Sequence, residues 1–242
     1  MVGRAQVIVI GAGIVGCSVA FHLAQRGWTE ILVVDKGAIF ENDGSTSHAP
    51  GNMHLTNSSK MMTEFAMYTR ELIALLPQDP ANPFYRPTGG IEVATTPERL
   101  EDLKRRQGWA TAWGLEAHLI SPDEVKARIP LVDTRAMLGG YWVPEDTNSH
   151  AWRVARALGE AAAASGAVKF ASDCTVDDLV VEKGVLRAVL TNRGRIDCDA
   201  VVLCTNIWSP LLGDKVGVPI PLLAAQHQYA ITEPLPELAG TT

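Results

Sequence analysis

The chain opens on short apolar runs separated by a helical apolar repeat. The run AQVIVI at 5–10 predicts a buried parallel strand, and ILVV at 31–34 predicts a second one. Between them an apolar stripe at helical spacing predicts a helix over 14–26, which Gly27 ends. The stripe consists of Val15, Val19, Ala20 and Leu23. The pattern therefore predicts one complete strand–helix–strand unit.

Farther along, helical stretches alternate with short strands. The helical pattern predicts helices over 57–76, 96–113, 121–130 and 150–165. Alternating or apolar runs predict strands over 90–95, 138–143, 167–171, 175–182, 184–191 and 196–205. Two start signals support the helices: Thr96 precedes a proline at the first helical position, and Ser121 opens a capping box with Glu124. The last strands predict a meander that leads into a fully buried strand.

A glycine-rich turn joins the first strand to the first helix. Gly11 allows a tight turn, Gly13 lets a pyrophosphate approach the backbone, and Gly16 lets the helix pack on the strand. A helix N-terminus offers free N–H groups and partial positive charge to phosphates. The candidate phosphate-binding residues are Gly11, Gly13, Ile14, Val15 and Gly16.

Asp35 ends the second strand, 24 residues (35 − 11) after Gly11. There its carboxylate can accept ribose hydroxyls, and it would repel the 2′-phosphate of NADP. The polar loop over 36–56 is long for a simple connection, which indicates a binding role. Because the chain also returns to nucleotide-type strands after an excursion, we expect FAD rather than NAD. Further candidate cofactor-binding residues are Lys36, Ser45, Thr46, His48, Thr205 and Trp208.

These features predict an α/β fold with two discontinuous domains. We expect a Rossmann-type FAD-binding domain of the glutathione-reductase-like kind over 1–56 and 144–212. An inserted α+β substrate domain is predicted over 57–143 and 213–242. The tail PELAGTT lacks the stop signal of a finished domain, so we expect a chain truncated at its C-terminus.

Three further segments resemble a known family. GSTSHAPG (44–51), GGIEVATTPERLEDLKRR (89–106) and AAQHQY (224–229) are similar to segments of the dimethylglycine oxidase and dehydrogenase group. That group, with the sarcosine dehydrogenases, belongs to the glycine/D-amino-acid oxidase superfamily of flavoproteins. The resemblance covers nearly the whole chain in collinear order. It implies that a hydride equivalent leaves an N-methyl carbon for flavin N5, and that the resulting iminium is hydrolysed or passes its one-carbon unit to tetrahydrofolate.

The resemblance also implies roles for particular residues. In the dimethylglycine dehydrogenase group, the histidine of the S-x-H-A-x-G segment is linked to the flavin 8α-methyl carbon, which implies covalent FAD through His48. A histidine that only hydrogen-bonds the cofactor, or a solvated one, is the alternative. The segment AAQHQY supplies the candidate catalytic residues His227 and Tyr229, whose spacing places both on one face of a strand. His227 would orient the amine or hold its proton balance, since only a neutral amine is oxidised.

Composition excludes several other classes. With 21 Lys and Arg against 27 Asp and Glu, the net charge is −6, and no basic stripe suits nucleic acid or an anionic membrane. No apolar run is long enough to span a bilayer, and nothing before the first strand resembles a signal peptide, so we expect a cytoplasmic protein. The cysteines form no C-x-x-C pair and are expected to be buried, reduced thiols rather than metal ligands. They are Cys17, Cys174, Cys198 and Cys204.

Three functions stay open. The first is FAD-dependent oxidation of dimethylglycine or sarcosine, with oxygen or an electron-transfer protein as acceptor. The second is a D-amino-acid or other amine oxidase of the same superfamily, and the third is a flavin-binding fragment or subunit without turnover. Arg70 and Arg86 are both available to a substrate carboxylate, and the sequence does not choose between them. Asn206 stands where relatives often carry glycine in C-A-G-x-W, and because Asn tolerates a left-handed backbone we expect the turn to survive.

Overall fold

A computed structural model describes residues 3–41 and 44–236. The chain divides into two compact units, each built from two separate stretches. The first unit comprises Met1–Pro50 and His150–His227, and the second comprises Gly51–Ser149 and Gln228–Thr242. Whether these units correspond to the predicted FAD-binding and substrate domains stays a prediction.

Short strands outnumber helices in the described residues. In chain order the strands are β1 (Arg4–Ile10), β2 (Ile31–Val34), β3 (Asn52–Met53), β4 (Tyr85–Arg86), β5 (Gly90–Ala94), β6 (His118–Ile120), β7 (Gly139–Val143), β8 (Thr147–Ser149), β9 (Val168–Ala171), β10 (Val176–Glu182), β11 (Val185–Thr191) and β12 (Gly194–Leu203). The helices are α1 (Ile14–Gln25), α2 (Lys60–Leu75), α3 (Pro97–Ala112), α4 (Pro122–Arg128), α5 (Ala151–Ala164) and α6 (Ser209–Lys215). A 3-10 turn at Asn206–Trp208 precedes α6.

The first unit is built on a six-stranded sheet in the order β10-β11-β12-β1-β2-β9. Strands β12, β1, β2 and β9 run parallel, whereas β10, β11 and β12 form the predicted antiparallel meander. Ile10 at the end of β1 pairs with Val34 of β2 on one side and with Leu203 of β12 on the other. The turns that follow these strands therefore emerge at one edge of the sheet, where open α/β sheets bind ligands.

Helix α1 buries only part of the predicted stripe, since Ala20 is buried and Val19 and Leu23 are half-buried. Its buried residues are the small Gly16, Cys17 and Ala20 together with Phe21, whereas Val15 is 60% exposed. The prediction is wrong at Val15 because α1 packs closely against α5, and close packing selects small side chains. At that contact a Cβ added to Gly159 of α5 would lie 3.3 Å from the Cys17 sulfur.

The second unit contains two three-stranded sheets, β3-β8-β4 and β5-β7-β6. Helices α3 and α4 pack on β7. Buried residues of α3, β5 and β7 share one apolar cluster, which is Leu55, Ala94, Leu103, Ala110, Leu115, Ala117, Tyr141 and Val143. The pattern predicted β5 and β7, but it missed β3, β4, β6 and β8, because two or three residues are too short to show a period.

Helix starts match the sequence signals. The Thr96 hydroxyl accepts a hydrogen bond from the Arg99 N–H at 3.3 Å. Ser121 and Glu124 form the reciprocal bonds of a capping box. The predicted helix over 57–76 instead begins after Ser59, whose hydroxyl accepts from the N–H of Met62. No helix in the described part of the chain is long and apolar enough to cross a membrane.

The strand predicted at AAQHQY does not form. Residues 218–235 contain neither helix nor strand, and both His227 and Tyr229 are exposed. An alternating pattern becomes a strand only where a neighbouring strand offers a free edge. No strand of the described residues pairs with 224–229, so their predicted common face does not exist.

All four cysteines are free thiols, and the predicted burial holds for three of them. Cys17, Cys174 and Cys198 are buried, and Cys204 is half-buried. Burial raises the pKa of Cys17 to about 12 and the pKa of Cys198 and Cys204 to about 11. Since the thiolate is the reactive form, these thiols are inert near neutral pH.

We therefore expect the folded protein to react slowly with a thiol-specific disulfide reagent at pH 8. With a pKa of about 11, the thiolate fraction is roughly one in a thousand. Unfolding in guanidinium should release all 4 cysteines, counted by absorbance of the released reagent. Cys204→Ser should remove most of any slow reaction in the folded state. A rapid, stoichiometric reaction of the folded chain would contradict the burial of these thiols.

Candidate dinucleotide-binding site

Three chain segments meet at the carboxyl edge of the first unit's sheet. They are the glycine turn after β1, the loop after β2 and the segment after β12. The Gly11 N–H donates to the Val34 carbonyl at 2.8 Å, and the Cys204 N–H donates to the Ile10 carbonyl at 2.8 Å. Backbone hydrogen bonds thus bring all three segments together.

The glycine turn has no room for side chains at two of its positions. Gly11 has φ +103°, and an added Cβ would lie 2.5 Å from the Cys204 carbonyl oxygen. At Gly16 an added Cβ would lie 1.8 Å from the Gly11 carbonyl oxygen. These values agree with the tight turn predicted at Gly11 and with the close helix packing predicted at Gly16.

The first turn of α1 carries no acidic side chain. Gly13 is its N-cap, and no side chain caps the helix through that residue. The Ile14 N–H instead donates to the Thr46 hydroxyl at 3.1 Å. Because free N–H groups and the helix dipole attract anions, this end of α1 is suited to a phosphate group. Gly13 adds no side chain at that end. A Cβ built at Gly13 would lie 3.0 Å from the Thr46 hydroxyl, which is the nearest atom.

The Asp35 carboxylate ties the end of β2 to the glycine turn. It accepts a hydrogen bond from the Ala12 N–H at 2.7 Å through Oδ2 and one from the Gly37 N–H at 2.9 Å through Oδ1. A carboxylate has about four acceptor positions, so two stay available to a ligand hydroxyl. The sequence did not reveal this second role, because it depends on a backbone contact between distant segments. Ribose binding by Asp35 stays a prediction.

The loop after β2 also contacts the segment after β12. The Lys36 ammonium lies 3.6 Å from the centre of the Trp208 ring, a cation–π contact. Asn206 has φ +48°, as its replacement of glycine requires, and its side-chain amide donates to the Ser45 hydroxyl at 2.7 Å. These contacts bring together predicted cofactor-binding residues from both segments. Thr205 contributes a hydroxyl that bonds Ser209 at 3.0 Å.

His48 is exposed, and the position of its ring fixes its tautomer. Nδ1 lies 2.9 Å from the Gly44 carbonyl oxygen and 3.0 Å from the Ser47 hydroxyl. Because a carbonyl can only accept, Nδ1 must carry the proton in this arrangement. The neutral ring then keeps its lone pair on Nε2, which is the nitrogen able to form a new bond.

The arrangement suits a dinucleotide better than a metal ion. Its backbone N–H groups and helix N-terminus suit a pyrophosphate, and its carboxylate suits a ribose. Residues 3–41 and 44–236 contain no group of three His, Cys, Asp or Glu side chains that could hold a metal ion. His227 and Tyr229 lie in the exposed stretch without regular structure, and their catalytic role stays a prediction.

Residues 6–242 match the family described as DAO: FAD dependent oxidoreductase. The chain belongs to this family. Its residues are 33% identical over 234 residues to a mouse protein named pyruvate dehydrogenase phosphatase regulatory subunit, mitochondrial, covering 96% of this chain and 26% of the relative. They are 31% identical to mouse sarcosine dehydrogenase, covering 95% of this chain and 25% of that one. This DAO-family chain therefore spans about a quarter of the length of these curated relatives.

A solved structure has a fold similar to that of this DAO-family chain. L-proline dehydrogenase from P. horikoshii superposes with a TM-score of 0.79 at 25% identity. The match covers 90% of this chain and 57% of that structure. The predicted family and the mixed α/β fold are thereby confirmed.

In this flavoprotein chain, Gly13→Ala should weaken FAD binding at least tenfold without unfolding the protein. The added Cβ meets only the Thr46 hydroxyl, which can rotate, but it stands where the phosphates approach α1. FAD affinity is measured by quenching of flavin fluorescence, and folding by circular dichroism.

Gly108→Ala is the matched control for this substitution. No atom lies within 4 Å of its added Cβ, so it should raise helix stability by about 0.5–1 kcal/mol and leave FAD affinity unchanged. Equal FAD affinity in both variants would contradict the placement of the phosphates.

Proposed function

We propose that the chain is the FAD-binding part of an oxidoreductase that oxidises the C–N bond of an N-methyl amino acid. The observation that carries this proposal is the glycine turn held against the N-terminus of α1, with Asp35 beside it, in a member of an FAD-dependent family. The glycine turn and Ile14 would hold the pyrophosphate, and Asp35 would hold the ribose. Bound FAD would supply the two-electron acceptor of the reaction.

The choice of N-methyl amino acids follows from the named relatives. Besides mouse sarcosine dehydrogenase, rat dimethylglycine dehydrogenase is 27% identical over 237 residues, and covers 97% of this chain and 27% of the relative. These two names favour dimethylglycine or sarcosine over a D-amino acid as the substrate. Oxygen and an electron-transfer protein both remain possible acceptors. The cytoplasmic location also stays a prediction, since these relatives are named as mitochondrial.

We further propose that His48 bonds covalently to the flavin through Nε2. The support is the exposed ring whose Nδ1 is occupied by the Gly44 carbonyl oxygen, which leaves the Nε2 lone pair free. The Ser47 hydroxyl donates to the same carbonyl at 2.9 Å and so helps to fix the turn. His227 and Tyr229 are kept in this proposal as the active-site residues that the resemblance implies.

If FAD is covalently bound, its yellow colour should stay in the protein pellet after acid precipitation of the purified chain. His48→Ala should release the flavin into the supernatant, because His48 is the only histidine in the sequence between β2 and β3. His118→Ala is the control, since His118 is exposed and pairs only with Glu116 at 2.9 Å. Flavin released from the unaltered chain would contradict the covalent bond but not FAD binding.

A non-catalytic flavin-binding subunit is the second candidate. The specific observation in its favour is the 33% identity to a protein named as a regulatory subunit. Such a subunit would keep the dinucleotide site but would not transfer electrons from a substrate.

Anaerobic addition of dimethylglycine or sarcosine should bleach the visible flavin absorption of the FAD-loaded chain if the oxidoreductase proposal is right. D-alanine serves as the comparison, and faster bleaching by D-alanine would favour the D-amino-acid alternative. FAD that binds but is bleached by none of these amines would favour the regulatory subunit. Absence of FAD binding would contradict both proposals.

A further inference from the structure

The small sheet of the second unit presents a polar face. Strand β8 lies between β3 and β4, with Asn148 opposite Asn52 on one side and opposite Arg86 on the other. Residues directly opposite each other in antiparallel strands project from the same face. Asn52, Asn148 and Arg86 therefore form one row across the sheet.

The row presents amides and a guanidinium together. The Asn148 amide donates to the Asn52 amide oxygen at 2.8 Å, which leaves the Asn52 N–H groups as donors. Asn52 and Arg86 are exposed, and Asn148 is half-buried. The flanking residues of β8, Thr147 and Ser149, are buried on the opposite face. One side of this sheet is thus packed, and the other offers hydrogen-bond donors.

A histidine–aspartate pair lies just beyond the ends of these strands, two residues after Asn52 and two residues before Asn148. His54 Nδ1 lies 3.3 Å from Asp146 Oδ2, and 60% of the His54 side chain is exposed, against 8% for Asp146. Asp146 Oδ1 accepts a hydrogen bond from the Leu55 N–H at 2.8 Å. Its carboxylate occupies the space beside Gly90, where an added Cβ would lie 2.3 Å from Oδ2. An ionised carboxylate only accepts, so His54 Nδ1 donates and Nε2 keeps the lone pair.

Arg86 differs from the other arginines of residues 51–149, because each of those already has a partner. The partners are Glu145 for Arg70, Glu92 for Arg99 and Arg106, Asp102 for Arg105, the Glu124 carbonyl for Arg128, and Asp133 for Arg135. The lysines of the same stretch pair with Glu64, Glu101 and the Val132 carbonyl. In the described part of the chain no carboxylate lies within ion-pair distance of Arg86. The choice between Arg70 and Arg86 therefore falls on Arg86.

We propose that this face binds the substrate amino acid, with its carboxylate on Arg86 and the two asparagines and its ammonium on His54 Nε2. This inference rests on the proposed function, and it names the groups that recognise the substrate. Arg86 on β4 and Asn52 on β3 flank β8, so their positions are roughly 10 Å apart across the sheet. The long Arg86 side chain would reach over Asn148 to a carboxylate held near Asn52, and the ammonium would extend toward His54, two residues after Asn52. A guanidinium suits a carboxylate because its fork donates two parallel hydrogen bonds.

His54 also gives the ammonium proton a destination. The proton moves from the substrate nitrogen to Nε2, which leaves a neutral amine and an imidazolium. The imidazolium charge is balanced by Asp146 at 3.3 Å, whose role is to position His54. Glu92, the other acidic group that acts on Asp146, is itself paired with Arg99 and Arg106.

Three ligands separate the carboxylate contact from the ammonium contact. Dimethylglycine has both groups, dimethylaminoethanol lacks the carboxylate, and betaine lacks the N–H. Dissociation constants are measured by ligand-observed NMR on the full chain, FAD-loaded and FAD-free. We expect dimethylglycine to bind about 10- to 100-fold more tightly than dimethylaminoethanol, because its carboxylate adds hydrogen bonds between charged groups. It should also bind more tightly than betaine.

Arg86→Gln should make the affinities for dimethylglycine and dimethylaminoethanol about equal. Its affinity for dimethylglycine should still exceed its affinity for betaine by as much as in the unaltered chain. In His54→Ala the preference for dimethylglycine over betaine should disappear, and the preference over dimethylaminoethanol should remain. General damage to the fold would lower all three affinities together, so each ratio reports on one contact. Arg135→Gln is the matched control because Arg135 is an exposed arginine of the same unit, and it should change neither ratio.

Unchanged ratios in Arg86→Gln and His54→Ala, or no carboxylate preference in the unaltered chain, would overturn the inference. FAD binding is measured separately, so that failure leaves the dinucleotide site standing. Arg86-dependent binding of D-alanine but not dimethylglycine would support the site and contradict the N-methyl substrate class. If His227→Ala removes the preference for dimethylglycine over betaine and His54→Ala does not, His227 makes the ammonium contact and this part of the inference is wrong.

Discussion

The close approach of α1 to the end of β1 is the constraint on which the first unit depends. A Cβ at Gly16 would lie 1.8 Å from the Gly11 carbonyl oxygen, and one at Gly11 would lie 2.5 Å from the Cys204 carbonyl oxygen. A side chain at Gly11 would push the glycine turn away from the segment after β12, and one at Gly16 would push α1 away from the glycine turn. Because only backbone meets backbone there, the helix N-terminus stays open. The edge of the sheet can then offer N–H groups to a phosphate.

Features set by local or steric rules could be predicted from the sequence. The helix starts after Thr96 and Ser121 followed from cap residues that act within a few positions. The glycine turn followed from spacing alone, since only glycine fits such contacts. The buried face of α1 was predicted only in part, because packing against α5 selects Gly16 and Cys17 over the larger Val15. That choice depends on a helix more than a hundred residues later in the chain.

Features that arise from pairing between residues far apart in the chain could not be predicted from the sequence. Strands β3 and β4 exist only because both pair with β8, and two residues carry no period of their own. The ion pair of Arg70 depends on Glu145, 75 residues (145 − 70) further along the chain, and nothing in the sequence indicated it. The strand predicted at 224–229 shows the opposite error, since an alternating pattern alone supplies no pairing partner.

A carboxylate organises each of the two proposed sites in the same way. Asp35 accepts the Ala12 and Gly37 N–H groups, and Asp146 accepts the Leu55 N–H and the His54 ring. Burial raises the pKa of Asp146, while the bonds from Leu55 and His54 act to lower it. A buried carboxylate is costly unless such donors surround it, so the bonds that keep it charged also fix its direction. A carboxylate fixed in this way can hold a loop with one oxygen and orient a ligand-binding group with the other.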